Sequence, residues 1–177
     1  MSNANLQTYT FSVPAGAIVA RFALRQADVS GAADDNDLAV VLPNGTVAYS
    51  AIDGSHETVE LLNPAPGSYK VCVSAYAAPG ASTSTHRLSS WIVSPGDAAG
   101  GAFNVLMPTT VFAGSTATVG LSWSGLSSDH RYIGGVQFLD AAAAPAAATA
   151  LLIDTTPGTP LDMPTPVANG KTHGEAK

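Results

Sequence analysis

The sequence predicts an all-β protein, an antiparallel β-sandwich or jelly roll, on three observations. Short runs of Val, Ile, Leu, Thr and Tyr recur along it, turn residues separate them, and no stretch sustains a helical period. Thr8 to Val13 ends at Pro14-Ala-Gly16, and Ile18 to Leu24 follows. Asp37 to Leu42 stops at Pro43-Asn-Gly45, a strong turn signal. Val47 to Ser50, Thr58 to Leu62, Ser68 to Tyr76 and His86 to Val93 complete a first set. Strands at this spacing fit a sandwich better than any alternative.

Alternation assigns the faces of these strands. Tyr69, Val71, Val73 and Ala75 share one side of theirs, opposite Lys70, Cys72, Ser74 and Tyr76. Leu38, Val40 and Leu42 form one side, opposite Asp37, Ala39 and Val41. The last strand is less decisive. One of its faces must carry Trp91, and burial in the core is the default for so large a ring.

"SPGDAAGG", Ser94 to Gly101, reads as a joint between modules. Beyond it Phe103 to Met107, Thr116 to Trp123, Arg131 to Leu139 and Thr149 to Asp154 are strand-like, and Ala141 to Ala148 reads as a loop. So few strands are marginal as an independent sandwich, so this piece should pack on the first. The expected division is therefore 1–4 as a cloning scar, 5–96 as the sandwich, 97–154 as a short β module packed on it, and 155–177 as a Pro-rich disordered tail.

Composition narrows the function. Only 11% of residues are charged, so surface polarity must come from Ser, Thr, Asn and Gly, a pattern common in secreted β-proteins. The net charge of −6 with no basic stripe argues against nucleic acid. No run reaches the length of a membrane span; "AAAAPAAATALLI" comes nearest, and Pro145 interrupts it. Neither the basic region nor the apolar run of a signal peptide occurs at the N-terminus. Cys72 stands alone, which excludes a disulfide framework and any CxxC motif.

The chemistry-bearing candidate is acidic. Asp28, Asp34, Asp35 and Asp37 cluster ahead of an apolar run. Calcium takes six to eight oxygens, and clustered Asp on a loop is one way to supply them. An EF-hand does not fit, because Val40 stands where its sixth-position Gly belongs and Thr46 where its twelfth-position Glu belongs. A cation site would be irregular, completed by Asp53, Glu57 or backbone carbonyls. The alternative is a solvated turn with Asp37 at the strand entrance.

His56, His86, His130 and His173 have no zinc spacing, and no GxSxG elbow or phosphate loop exists. No catalytic residue is assigned. Tyr9, Tyr49, Tyr76, Trp91, Trp123 and Tyr132 are candidates for carbohydrate or peptide binding, but packing is the better expectation for most. Tyr76, on the polar side of its strand, is the least committed to a core.

In "FSVPAGAIVARFAL", "ADDNDLAVVLPNGTV", "NPAPGSYKVCVSAY" and "TATVGLSWSGLSSDHRYIGGVQF" the chain resembles the C-terminal region of secreted subtilisin-like serine proteases. The first three resemble a pre-peptidase C-terminal (PPC-like) β-sandwich: a Pro-Gly turn, an Asp-x-Asp-Leu strand ending at Pro-x-Gly, and Pro-x-x-Gly-x-Tyr before the longest strand. The last resembles the short immunoglobulin- or fibronectin-like module that follows it. The resemblance implies a secreted, non-catalytic accessory region that stabilises, localises or targets its enzyme. Its partners would be an upstream protease catalytic domain and an insoluble protein substrate. It also implies calcium, at Asp28, Asp34, Asp35 and Asp37. Two other classes stay open: an independent carbohydrate- or protein-binding adhesion module, and a structural protein that self-associates through unpaired strand edges.

Overall fold

The computed structural model describes residues 6–80, 83–98, 100–112 and 114–157. The expected scar at 1–4, and the expected tail from residue 158 on, lie outside the described residues. The fold is all-β and antiparallel, as expected, and among the described residues a 3-10 turn stands at Gln26–Asp28.

Eleven strands are named among the described residues: β1 (Leu6–Val13), β2 (Val19–Ala23), β3 (Asp35–Val41), β4 (Val47–Ser50), β5 (Thr58–Leu62), β6 (Gly67–Ala77), β7 (Ser89–Val93), β8 (Ala102–Leu106), β9 (Gly120–Ser124), β10 (Arg131–Leu139) and β11 (Pro145–Asp154). One sheet has the order β1-β6-β3-β4 and faces a second of order β5-β2-β7. Between them lies the core of Val13, Phe22, Leu24, Leu38, Val40, Val59, Tyr69, Val71 and Val73, with Phe11, Leu61, Leu88 and Ile92 packed on it.

The faces follow the sequence alternation in β3 and β6. The Pro-x-x-Gly-x-Tyr motif also acquires a reason. Tyr69 is fully buried, and its hydroxyl donates to the Ala65 carbonyl at 2.7 Å, which ties the turn to the strand. Gly67 has φ +141° and lies against the Pro43 ring, so a side chain there would be strained as well as crowded.

Trp91 corrects the expectation. Ile92 of β7, with Leu88 just before the strand, takes the core side, and Trp91 is left half-buried on the outer face. Ala141 to Ala148 is also not one loop, because β11 already begins at Pro145. The Asp140 carboxylate accepts from the amides of Ala142 and Ala144, each at 2.9 Å, and so closes a tight turn. Pro145 is tolerated as the first residue of its strand. Thr155, expected in the tail, is bonded instead: its hydroxyl donates to the Ser127 carbonyl at 2.7 Å.

β10 and β11 form a hairpin laid on the outer side of the β5-β2-β7 sheet. This third layer is why every residue of β2 is buried on both faces. Close approach needs Gly135: a Cβ there would sit 2.9 Å from Ile18 Cγ2 and 3.1 Å from Val19 Cγ2. β8 and β9 form a separate two-stranded ribbon, with Leu106, Met107 and Trp123 exposed.

Candidate functional site

The four aspartates do not form one group. Asp28, in the 3-10 turn, is paired with Arg87 at 3.2 Å and Arg131 at 3.1 Å. Arg131 also reaches Asp154 at 3.2 Å, and Arg25 lies 3.1 Å from the same carboxylate. Asp28 is thus part of a chain of three arginines and two aspartates that ties the hairpin to the sandwich. Burial works against the ionised Asp154. The Thr156 hydroxyl and amide, with Arg25 and Arg131, outweigh it and hold the group below the ordinary carboxylate value.

Asp34 is consumed locally. Its Oδ2 accepts from the Ser84 hydroxyl at 2.7 Å and from the Ser30 hydroxyl and Gly31 amide, both at 2.9 Å. Hydroxyls of Ser84 and then Ser30 favour the anion against its burial, so its pKa is lowered. Ser55 completes this corner. Its hydroxyl donates to the Asp34 carbonyl at 2.9 Å and accepts from the amide and side chain of Asn36.

Asp35 and Asp37 are different. Both lie on the outer side of β3, while Asn36 and Leu38 point inward. The loop from Ala51 to Glu57 brings Asp53 and Glu57 to them. Burial, then the nearby Asp53, pushes the Asp35 carboxyl up, partly offset by the Gly54 amide. Burial and then Asp35 push Asp37 up. Glu57 has no exposure at all, and burial is the main cause of its raised pKa. Hydrogen bonds from Ser50 and the Ile52 amide oppose that rise, whereas Asp37 and Asp35 add to it. One oxygen each of Asp35 and Glu57 is buried without a hydrogen-bond partner. Among the described residues no ion pair to these three carboxylates is present.

The donor chemistry of this acidic end suits a hard cation, since it offers only oxygens. Its geometry is not a finished cage. Among the described residues no group of three or more His, Cys, Asp or Glu is arranged to hold a metal ion. Of the expected set, then, Asp35 and Asp37 stay together, Asp28 and Asp34 are engaged elsewhere, and Asp53 and Glu57 take their places.

The aromatic candidates also divide. Tyr76 is 73% exposed and Tyr49 54% exposed, and both lie on the outer face of the four-stranded sheet. Packing was the expectation for Tyr49 and Trp123, and both are largely exposed instead. The short β4 is the edge strand of that sheet. Tyr9 is partly buried, and its hydroxyl lies 2.9 Å from His86 Nε2. Sequence reading missed the buried arginines Arg21 and Arg25, because an isolated Arg in an apolar run carries no sign of what will cover it. No helix among the described residues is long and apolar enough to cross a membrane.

No curated protein matches the chain. The family description of the bacterial pre-peptidase C-terminal domain matches residues 6–75, from the first residue of β1 into β6. β7 falls outside that match, yet it pairs with β2 residue for residue from Val19–Val93 to Ala23–Ser89, so the sandwich runs on to Val93. That family is a non-catalytic C-terminal domain of secreted proteases, and residues 6–75 are similar to it.

Proposed function

We propose that this chain is an accessory C-terminal region of a secreted subtilisin-like serine protease, and that it holds the enzyme at insoluble protein substrate. The match of residues 6–75 to a domain that accompanies secreted proteases carries the reading. Fold alone would not, since one β-sandwich serves many purposes. The test is retention of the purified chain on insoluble collagen and keratin, with chitin and cellulose alongside. Retention on protein is expected. Hydrolysis that disappears when one of the chain's own residues is substituted would overturn it.

The exposure of Tyr76 and Tyr49 on one open sheet face supports a second reading, an independent adhesion module for polysaccharide or a protein surface. Selective retention on chitin or cellulose, weakened by Tyr76→Ala, is the outcome that belongs to it.

Calcium is the cofactor proposed for the acidic end, where Asp35, Asp37 and Glu57 have no ion-pair partner among the described residues. Bound only by the folded state at a hundredfold over its Kd, it adds about 2.7 kcal/mol to stability. Thermal unfolding in EDTA and then in excess calcium reads this directly. A rise in Tm that Asp37→Asn removes is the expected result. An unchanged Tm discards calcium.

A further inference from the structure

The turn between β3 and β4 sets an Asn-Gly pair in water. Asn44, Gly45 and Thr46 are all exposed. The Leu42 amide donates to the Thr46 carbonyl at 2.8 Å and the Gly45 amide to the Leu42 carbonyl at 2.9 Å, which closes a three-residue loop of Pro43, Asn44 and Gly45. Gly45 has φ +84°, a conformation that glycine adopts without strain.

The Asn44 side chain is held over this loop. Its Oδ1 accepts from the Thr46 amide at 3.0 Å and from the Thr46 hydroxyl at 2.7 Å. Two donors on one carbonyl oxygen make its carbon more electrophilic and stabilise the negative charge that an attack would place there. The backbone nitrogen next along the chain belongs to Gly45, which carries no Cβ to obstruct ring closure. The bond that opposes attack is the Gly45 amide's own to Leu42. It lies in an exposed turn, where water replaces it at little net cost.

We propose that Asn44 is a self-modification site, at which the folded chain converts asparagine to isoaspartate through a cyclic imide. The Gly45 nitrogen gives up its proton to solvent base and bonds to Asn44 Cγ, and the charge collects on Oδ1 beside the two Thr46 donors. Collapse breaks the Cγ–Nδ2 bond, and Nδ2 takes a proton from water and leaves as ammonia. One water then opens the imide, at Cγ to give aspartate or at the main-chain carbonyl to give isoaspartate. The net change is NH for O, with no oxidant or cofactor. Isoaspartate lengthens the main chain inside the closed loop that holds β4 to β3. Because β4 is a four-residue edge strand carrying the exposed Tyr49, the reaction is a slow clock on the open sheet face. The site stands independently of the accessory role proposed above.

The test incubates the full chain at mildly alkaline pH, folded and in urea, and reads residue 44 by peptide mass and by isoaspartyl methyltransferase labelling. Isoaspartate is expected in the folded protein. Thr46→Val should slow the folded-state reaction about two- to tenfold, the worth of one exposed hydrogen bond to a developing charge. Thr46→Ser should restore it, and in urea all three should react alike. The amides of Val47–Ser50 should exchange faster in converted than in fresh protein. An intact Asn44 in folded chain, over a time in which the urea sample converts, overturns the proposal, because the fold then protects the turn. Equal folded-state rates in wild type and Thr46→Val overturn it as well, and unchanged exchange in β4 overturns the clock.

Discussion

Two charged regions of this molecule solve the same problem in opposite ways. Where the hairpin meets the sandwich, Asp28 and Asp154 are shared among Arg25, Arg87 and Arg131, and the side chain of Asp154 is only 2% exposed. At the other region, Asp35, Asp37 and Glu57 are drawn together with no ion-pair partner among the described residues. The first is a set of charges with matched partners; the second is a set of carboxyls whose pKa is raised first by burial and then by neighbouring carboxylates. Burial by itself therefore predicts neither gain nor loss: what decides is whether the opposite charge comes with it.

The largest effect should come from breaking the matched region. Asp154→Ala leaves Arg25 without its 3.1 Å partner and Arg131 with Asp28 alone, and should cost about 3–5 kcal/mol in urea unfolding. Next is the contact that lets the hairpin reach the sandwich at all. Gly135→Val forces a side chain against Ile18 and Val19 and should cost about 1–3 kcal/mol. An unchanged denaturation midpoint would mean that the hairpin shifts freely over β2.

The unmatched region should respond in the opposite direction. Glu57→Gln removes a buried negative charge but keeps an oxygen for the Ile52 amide, and should stabilise the protein at neutral pH by about 1 kcal/mol. The pH profile sharpens this. Carboxyls with raised folded pKa contribute stability that is complete below their unfolded values, 3.8 for Asp35 and Asp37 and 4.5 for Glu57, and that is lost as pH rises through the folded ones. Asp34 and Asp154, with lowered pKa, contribute stability that is present above 3.8 and lost as pH falls through their folded values. Melting temperature should thus rise on mild acidification from neutrality and fall again in stronger acid, and Glu57→Gln should flatten the first limb only. The smallest effect belongs to Arg87, whose side chain is 73% exposed. Arg87→Ala should change stability by less than about 0.5 kcal/mol and should be masked by salt.

Much of the sandwich was legible because its strands have one wet and one dry face. The boundaries of β4, β5 and β10 and the faces of β3 and β6 follow from turn residues and alternation. β2 was recognisable as a strand, but not as one buried on both sides, since that depends on a hairpin more than a hundred residues later. The same distance hid the roles of Arg21, Arg25 and Gly135. At the acidic end, the carboxylates Asp35 and Asp37 were identifiable from their density, while the division of labour was not. Whether an Asp finds hydroxyls, as Asp34 does at Ser30 and Ser84, or arginines, as Asp28 does, is settled by residues that only the fold brings near. Trp91 was misassigned because ring size predicts burial without saying on which side of a sheet.

The double burial of β2 has a consequence for how the molecule opens. β2 is hydrogen-bonded to β5 on one edge and β7 on the other, and covered above and below. Its amide protons can meet solvent only when both sheets and the hairpin have come apart, so they should exchange at the rate of global unfolding. The exposed β8–β9 ribbon should exchange through local fraying long before that. Deuterium uptake along the chain would then have its slowest point at Val19–Ala23, the strand that holds the guanidinium of Arg21.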